Sequence, residues 1–299
     1  MAAIAFIGLG NMGGPMAANL VKAGHKVAGF DLVPASRDAA KANGVMIAGS
    51  ARAAVTNADV IITMLPIGRH VVSVWTDVMP AATRGALMID CSTIDVESAR
   101  RVHMLAARAS LHSVDAPVSG GVAGARDATL TFMAGGEVES FEAAKPFLEA
   151  MGKKIIHCGR DGAGQAAKIC NNMILGVSMI AVGEAFVLAE KLGLSRQALF
   201  DVASTASGQC WSLTSYCPVP GLVPTSPANN DYKPGFASAM MLKDLTLAQE
   251  AAKSTGAVTP LGQHAQDIYK AFDAAGNGGV DFSGIIRHIR ALAENMGGR

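Results

Sequence analysis

Cysteine is scarce in this sequence and follows no disulfide or metal-binding pattern. The 299 residues include five cysteines, an odd number, with no CxxC pair and no histidine cluster at zinc spacing. Disulfide frameworks of small secreted proteins use even numbers of cysteines, and structural zinc sites use paired ones. We therefore expect five reduced thiols, a reducing compartment and no metal site.

An excess of charge of either sign is also missing. The 25 Lys and Arg residues balance 24 Asp and Glu residues, which leaves a formal net charge of +1. A basic excess is what favours binding to nucleic acid or to an acidic membrane surface. The sequence therefore gives no reason to expect either partner.

Targeting and membrane-spanning segments are not visible either. The run AAIAFIGLG predicts a strand almost at Met1, which leaves no room for a charged leader. The longest apolar run of the long helix, residues 173–183, stops at Glu184 and is shorter than the roughly 20 residues that a span requires. Half of the residues are hydrophobic, enough for sizeable cores. We therefore expect a cytoplasmic protein of one or two domains.

The first half of the sequence alternates strand-like and helix-like stretches. Short apolar runs closed by polar or turn residues predict strands; they are AIAFIG, KVAGFD, VIITMLP, ALMIDCST, LHSVDAPVSGG, ATLTFMAGG and KKIIHCG. The alternation predicts an α/β fold, in which a doubly wound Rossmann domain has a parallel sheet with helices on both faces. We place this domain at residues 1–162.

After GRDGAG the strand signals nearly vanish. A long apolar helix over residues 164–192 is followed by shorter helical stretches and by the proline-rich loop CPVPGLVPTSPANNDYKPG. We therefore predict an all-helical second domain at residues 163–299, joined through the long interdomain helix. That helix is apolar on nearly all sides, more than one domain seam would cover, so we expect a homodimer or homotetramer.

A glycine-rich turn follows the first predicted strand. IGLGNMGGPM contains Gly8, Gly10 and Gly13 as GxGxxG, with Asn11 and Met12 between the last two. The first glycine permits a tight turn, the second lets the backbone approach a pyrophosphate, and the third lets helix and strand pack closely. The helix N-terminus attracts the phosphate charge. The turn therefore predicts a dinucleotide-binding site.

Asp31 ends the second predicted strand and bears on the choice of cofactor. It lies about 20 residues after the turn, where a carboxylate accepts hydrogen bonds from the ribose hydroxyls of NAD. Its charge would repel the 2′-phosphate of NADP. Arg37 could in principle offset that repulsion, although a solvated helix residue is the better interpretation. We therefore predict NAD as the cofactor.

Two further stretches could bind and transform a small acid. DAPVSGG offers the Ser119 hydroxyl beside Gly120 and Gly121, whose N–H groups could form a carboxylate nest, although a plain glycine turn would be favoured if the stretch stood alone. GQAAKICNN places Lys168 and Asn172 at i and i+4, on one helix face. A lysine held among apolar groups has a lowered pKa and can act as a base; a structural ion pair at a domain seam is the alternative.

A last stretch, MLKDLTLA, sets Lys243 beside Asp244 and would by itself suggest a solvated helix face. Together, FIGLGNMGGPMAANL, DAPVSGG, GQAAKICNNM and MLKDLTLA resemble the successive motifs of the β-hydroxyacid dehydrogenase family, in order, over essentially the whole chain. The stretches ITMLP, IDCSTID, SGQCWS, CPVPG and PANNDY are most similar to members that act on 3-hydroxyisobutyrate. The one local departure, Cys217 where asparagine is common, falls at no functional position.

The resemblance implies residue roles that fit these physical arguments. Lys168 corresponds to the family's catalytic lysine, Asn172 would position the substrate, and the Ser119, Gly120 and Gly121 turn would bind its carboxylate. Beyond the glycine turn and Asp31, the implied cofactor-binding residues are Leu65, Pro66, His70, Thr93 and, from the second domain, Lys243. His70 has the weakest case, because a lone histidine at a helix start is more often solvated.

The implied activity is the NAD-dependent oxidation of 3-hydroxyisobutyrate to methylmalonate semialdehyde, a step of valine breakdown, in a cleft between the two domains. The substrate hydroxyl would give its proton to Lys168 and the adjoining carbon a hydride to NAD, without a metal. One alternative is a sister enzyme acting on 3-hydroxypropionate, tartronate semialdehyde or succinic semialdehyde. Another is a non-catalytic NAD-binding protein, against which the intact Lys168 and Asn172 argue.

Overall fold

The computed structural model describes residues 1–297, with side chains described as far as Glu294. The chain divides into two compact units, Met1–Lys168 and a second that begins at Ile169. The predicted boundary at Gly162 falls slightly earlier in the chain. The first turns of the long helix belong to the first unit.

One sheet dominates the first unit. Among the described residues its nine strands are β1 (Ala3–Ile7), β2 (Lys26–Phe30), β3 (Met46–Ile47), β4 (Val60–Thr63), β5 (Leu87–Asp90), β6 (His112–Asp115), β7 (Val118–Ser119), β8 (Leu130–Gly135) and β9 (Gly152–Gly159). Their order is β3-β2-β1-β4-β5-β6-β8-β7, and β9 also pairs with β8. The short β3 was not predicted.

The sheet is parallel from β3 to β6 but not throughout. Neighbouring strands in that part run parallel, as predicted, whereas β8 runs antiparallel to both β6 and β7. A parallel connection needs a crossover of about a dozen residues or more. The segment between β7 and β8 is shorter than that, so the chain returns in the opposite direction.

Helices cover both faces of this sheet. In chain order they are α1 (Gly13–Lys22), α2 (Pro34–Ala42), α3 (Ala51–Val55), α4 (Gly68–Val78), α5 (Val96–Arg108), α6 (Gly121–Arg126) and α7 (Val138–Glu149), with a 3₁₀ turn at Met79–Ala81. Ile4 and Phe6 of β1 join one apolar cluster while Ala5 and Ile7 join another. Because successive side chains of a strand point to opposite faces, both faces are buried. The doubly wound Rossmann domain is confirmed.

The long helix α8 (Ala163–Lys191) has 29 residues, close to its predicted bounds. By length and composition it is the one helix in residues 1–297 that could cross a membrane, and half of its apolar window is buried within the protein. The apolar run of residues 173–183, judged from the sequence too short for a span, ends at Glu184, but the helix continues through that residue. A mostly buried core helix passes the same length and composition test.

The second unit is helical, as predicted. After α8 it contains α9 (Arg196–Ala203), α10 (Trp211–Thr214), α11 (Ser238–Thr255), α12 (Pro260–Phe272) and α13 (Ile285–Gly297), with short 3₁₀ or π turns at Pro227–Asn230, Asp273–Asn277 and Phe282–Gly284. An apolar cluster that includes Phe186, Tyr269 and Phe282 forms its core. All five cysteines of the chain are free.

Candidate active site

The glycine turn after β1 is too tightly packed for side chains at two of its positions. Gly8 has a φ of +95°, and a Cβ there would lie 2.2 Å from the carbonyl oxygen of Met64. A Cβ on Gly13 would lie 1.9 Å from the carbonyl oxygen of Gly8. A Cβ on Gly10 would meet nothing within 4 Å. The turn thus closes against its neighbours yet stays open where a pyrophosphate approaches, so it fits a dinucleotide.

The surroundings of the turn are also open. Asn11 is exposed, and Met12 is half-buried where the chain enters α1. Gly10 and Asn11 line a cavity of about 600 Å³ whose other walls come from α1, α2 and α6. The exposed backbone of Gly10 and Asn11, just before α1, is therefore accessible to a charged ligand.

Asp31 lies immediately after β2 and contacts the glycine turn. Its carboxylate accepts hydrogen bonds from the N–H groups of Leu9 and Val33, each at 2.7 Å. Arg37 donates to the carbonyl oxygens of Asp31 and Leu32, at 2.7 and 3.2 Å. The arginine is therefore half-buried and stabilises this loop through hydrogen bonds; it is not the solvated residue that the sequence suggested. This arrangement keeps the Asp31 charge beside the turn and favours NAD.

The ends of β4 and β5 bring further predicted cofactor residues to the same edge of the sheet. Leu65 and Pro66 follow β4, and Thr93 follows β5, which pairs with β4. The Leu65 N–H donates to the Ser92 hydroxyl at 2.8 Å and so ties the two loops together. His70 is exposed in the first turn of α4, in keeping with its weaker case.

A buried polar network that includes Asp90 underlies this edge. Oδ1 of Asp90 accepts hydrogen bonds from the hydroxyls of Thr63 and Ser92, at 2.7 and 2.6 Å, and Trp75 donates to the Thr63 hydroxyl at 3.0 Å. Oδ2 of Asp90 is buried without a hydrogen-bond partner. Burial raises the pKa of Asp90 to about 7, although the hydrogen bonds from Ser92 and Thr63 oppose the shift. Asp90 is thus a carboxyl group that titrates near neutrality inside the cofactor-binding domain.

The predicted carboxylate nest follows β7. Ser119 is the last residue of that strand, and Gly121 begins α6. Gly120 and Gly121 have φ angles of +130° and +62°, in the region that favours glycine. The turn is partly exposed, so its hydroxyl and N–H groups are accessible to an anion. The structure thus gives the three residues a conformation suited to the predicted role.

Lys168 lies in the second turn of α8 and is only 7% exposed. The start of this helix is anchored to the sheet, because Asp115 at the end of β6 accepts hydrogen bonds from the N–H groups of Gly162 and Gln165, at 2.8 and 2.9 Å. Nε2 of His103 also contacts Oδ1 of this carboxylate, at 2.9 Å. The lysine is therefore buried, as the sequence predicts, on a helix whose start is fixed.

Asn172 belongs to a second buried network, within the second unit. Its side-chain amide is 1% exposed, donates a short hydrogen bond to Asp244, and accepts one from Asn171 at 2.9 Å. The Lys243 amine lies 3.3 Å from the other oxygen of Asp244. Asp244 is itself 2% exposed, so the Lys243–Asp244 pair is not the solvated helix face that its motif alone suggests.

The predicted residues thus fall into one group in each unit. The first unit holds the glycine turn, Asp31, the loops after β4 and β5, the turn after β7, and Lys168. The second holds Asn172 and Lys243, and both of these side chains contact Asp244.

Sequence reasoning missed four residues of these networks: Asp90, Asp115, Gln165 and Asp244. A carboxylate closing an apolar strand, as in ALMID and HSVD, was the available signal for the first two, since ligands bind at the carboxyl ends of parallel strands. For Gln165 the sequence offers no such signal, because the partners of its side chain lie far away along the chain. Asp244 stands beside Lys243 in MLKDLTLA, but its contact with Asn172, far away along the chain, follows no local pattern.

The two halves of the chain match family models of dehydrogenases. Residues 3–159 match the NAD binding domain of 6-phosphogluconate dehydrogenase. Residues 162–289 match a domain described as NAD-binding of NADP-dependent 3-hydroxyisobutyrate dehydrogenase.

The similarity to known proteins extends over nearly the whole chain. A probable 3-hydroxyisobutyrate dehydrogenase of Mycobacterium tuberculosis is 58% identical over 98% of this chain and 100% of that protein. An NAD-dependent L-serine dehydrogenase of Pseudomonas aeruginosa is 47% identical over 95% of this chain and 96% of that protein. The solved structure of Mycobacterium tuberculosis 3-hydroxyisobutyrate dehydrogenase with L-serine has a TM-score of 0.95 at 58% identity, covering 97% of this chain and 99% of that one.

Fold, strand-end site and relatives together define an NAD-dependent hydroxyacid dehydrogenase. The chain belongs to the β-hydroxyacid dehydrogenase family, which confirms the sequence resemblance. Its cofactor is NAD, as the position of Asp31 against the glycine turn also indicates.

Proposed function

We propose that this protein oxidises 3-hydroxyisobutyrate to methylmalonate semialdehyde, a step of valine breakdown. The observation that carries the proposal is the burial of Lys168, 7% exposed, on a helix whose first turn is anchored by Asp115. A buried amine at a fixed position is suited to proton transfer with a substrate hydroxyl. The 58% identical relative from Mycobacterium tuberculosis supports this choice of substrate.

In this mechanism each residue has one task. The turn from Ser119 to Gly121 holds the substrate carboxylate through its hydroxyl and N–H groups. The Lys168 amine accepts the proton of the substrate hydroxyl and returns it in the reverse reaction. NAD, when bound, supplies the hydride acceptor. Asn172 and Lys243 are the proposed substrate-positioning and cofactor-binding residues of the second unit.

L-serine is the second candidate substrate. One relative is an L-serine dehydrogenase, and the solved structure of another contains L-serine. Serine is also a 3-hydroxy acid, with an ammonium group where 3-hydroxyisobutyrate has a methyl group. Both substrates offer the same carboxylate and hydroxyl to the proposed site, so the groups that surround C2 must decide between them.

A substrate panel with NAD tests the proposal. We expect turnover of 3-hydroxyisobutyrate to exceed that of L-serine, and lactate and the methyl ester of 3-hydroxyisobutyrate to react poorly. Lactate carries its hydroxyl one carbon closer to the carboxylate, and the ester lacks the charge that the nest binds. NADH absorbance follows the reaction. If serine has the higher kcat/KM, the second candidate holds; binding without turnover of any 3-hydroxy acid would indicate a non-catalytic NAD-binding protein.

We further propose that α8 mediates self-association. Apolar residues recur at helical spacing along one exposed face of the helix and its end; they are Ile174, Ala181, Ala185, Leu188 and Leu192. Leu188 and Leu192 are 59% and 74% exposed. Such a stripe on a globular protein favours burial against a second copy of the same helix. The expected compartment is the cytoplasm.

A further inference from the structure

Gln165 is a fully buried polar residue to which neither the sequence motifs nor the proposed chemistry assigns a task. It is 0% exposed in the first turns of α8. Its side-chain Nε2 donates to the carbonyl oxygen of Ser92 at 2.7 Å, and its Oε1 accepts from the N–H of Ile94 at 3.0 Å. The two bonds therefore hold the backbone on either side of Thr93, a predicted cofactor-binding residue.

The loop that Gln165 holds is tied to the rest of the cofactor edge. The Ser92 hydroxyl donates to Asp90 at 2.6 Å and accepts from the Leu65 N–H at 2.8 Å. Gln165 thus connects to both loops, directly to the one after β5 and through Ser92 to the one after β4. A side chain that makes two bonds to one loop restricts both its distance and its orientation.

The backbone of Gln165 is fixed as firmly as its side chain. Its N–H donates to Oδ2 of Asp115 at 2.9 Å, while Oδ1 of the same carboxylate accepts from Gly162. Lys168 follows at i+3, about one helical turn and 4.5 Å along the axis. Gln165 therefore links the helix turn that carries Lys168 to the loop that carries Thr93.

We propose that Gln165 is a positioning residue for the proposed oxidation. It holds Thr93 and Lys168 at a fixed separation, so that the substrate is bound in one orientation from which both the proton and the hydride can be transferred. The inference rests on the proposed roles of Lys168 and Thr93. Misplacement of reacting groups by about 1 Å can cost a hundredfold in rate. The effect of losing Gln165 should accordingly fall on kcat more than on cofactor binding.

The test compares Gln165→Leu with the wild-type protein and with Gln249→Leu. Leucine is similar in size to glutamine but makes no hydrogen bonds. Gln249 is a half-buried glutamine of α11 bonded to Thr259, so it controls for loss of an amide elsewhere. We expect Gln165→Leu to lower kcat for the best 3-hydroxy acid about 100-fold, with NADH affinity within about threefold of wild type. Deuterium at C3 of the substrate should slow the variant more than the wild type.

Amide hydrogen exchange provides a readout that needs no turnover. In Gln165→Leu the Ile94 amide should exchange at least tenfold faster, because its acceptor is gone, and it should keep its protection in Gln249→Leu. If the variant fails to fold, Gln165→Glu replaces it. That side chain keeps the acceptor for Ile94 but, when ionised, cannot donate to Ser92, so kcat should fall about tenfold with Ile94 still protected.

The outcomes separate the inference from the proposed function. Faster Ile94 exchange with kcat within threefold of wild type overturns the positioning role, and so does a loss of kcat matched by an equal loss of NADH affinity. Wild-type activity in Gln165→Glu at a pH where that carboxyl group is ionised overturns it as well. A wild-type protein that oxidises no 3-hydroxy acid refutes the proposed function. Unchanged Ile94 protection in Gln165→Leu would then refute the role of Gln165 separately.

Discussion

At the scale of single residues, Lys168 is the side chain on which the proposed chemistry depends most. We expect Lys168→Ala to lower kcat about 10³-fold, because general acid–base catalysis contributes factors of this order, while NADH binding changes little. Lys191→Ala, an exposed lysine at the other end of α8, serves as the control. Steady-state kinetics and NADH fluorescence measure both effects. Near-normal turnover in Lys168→Ala would show that another group moves the proton.

Asp31 should set the preference between the two nicotinamide cofactors. Asp31→Asn keeps an acceptor for the Leu9 N–H but removes the charge that repels a 2′-phosphate. We expect the ratio of kcat/KM for NAD over NADP to fall about tenfold, which corresponds to about 1.4 kcal/mol. An unchanged ratio would mean that the discrimination lies elsewhere in the cofactor site.

Asp90 should make the stability of the first unit depend on pH. Its pKa is raised to about 7, so between about pH 4 and pH 7 the folded state holds a proton that the unfolded state has lost. Stability should therefore fall as pH rises through this window. The nearby Asp115 charge contributes to the shift in the same direction. Asp90→Asn cannot ionise, so the free energy of unfolding of this variant, relative to that of the wild type, should rise by about 3 kcal/mol between pH 5 and pH 8.

Tryptophan fluorescence during urea unfolding can measure this difference. Trp75 is buried and bonded to Thr63 in the same network, whereas Trp211 is half-exposed in the second unit. Trp211→Phe in every variant leaves Trp75 as the reporter. Asp38→Asn, a change at an exposed carboxylate of α2, gives the background pH dependence. A constant difference between Asp90→Asn and wild type would show that Asp90 is ionised throughout.

Residues of the site differ in how far the sequence could predict them. Gly8, Gly13 and Asp31 occur in a local motif whose spacing itself encodes the turn, and the structure gives them the expected conformations. Lys168 stands out as a charge in an apolar helix. Gln165 has partners more than 70 positions away, which no local pattern specifies. The proposed roles of all the site residues remain predictions.

At the scale of elements, the capping of α8 by Asp115 is the contact most open to measurement. Asp115→Ala removes the acceptor of two helix-start N–H groups and of His103, all in a buried setting. We expect a loss of about 2–4 kcal/mol in the free energy of unfolding of the first unit. Asp95→Ala, at the half-buried cap of α5 bonded to Ser98, should cost only about 1 kcal/mol. Equal losses would show that burial adds nothing at Asp115.

Elements with long, regular patterns could be predicted, and short ones could not. The strands β1, β2, β4 and β5 are apolar runs long enough to be recognised in the sequence, and α8 is a long apolar helix that can be recognised in the same way. In contrast, β3 has two residues and α10 has four, too few for any periodicity. The antiparallel direction of β8 depends on the length of the preceding connection, and the apolar pattern of the strand does not indicate this direction.

At the scale of the whole molecule, the exposed face of α8 should decide the state of association. We expect the wild-type protein to sediment as a dimer or tetramer and the double variant Leu188→Glu, Leu192→Glu as a monomer, because buried carboxylates would oppose the interface. Val258→Glu, at an 89% exposed valine between α11 and α12, should leave association unchanged. Sedimentation velocity distinguishes these states. A monomeric wild-type protein would show that the apolar face of α8 does not mediate self-association.

The contacts of Asp115 also determine where the chain can be cut into fragments. The matched dinucleotide-binding family model ends at residue 159, ahead of Gly162 and Gln165. A fragment that stopped there would retain the buried carboxylate of Asp115 but lose the two backbone N–H groups that donate to it. Of these three contacts, the one with His103 would remain. The fragment would also release the loop between Ser92 and Ile94. A piece that preserves these bonds must include Gln165, as the compact unit that ends at Lys168 does, so dissection of the protein should follow the hydrogen bonds and not the limit of sequence similarity.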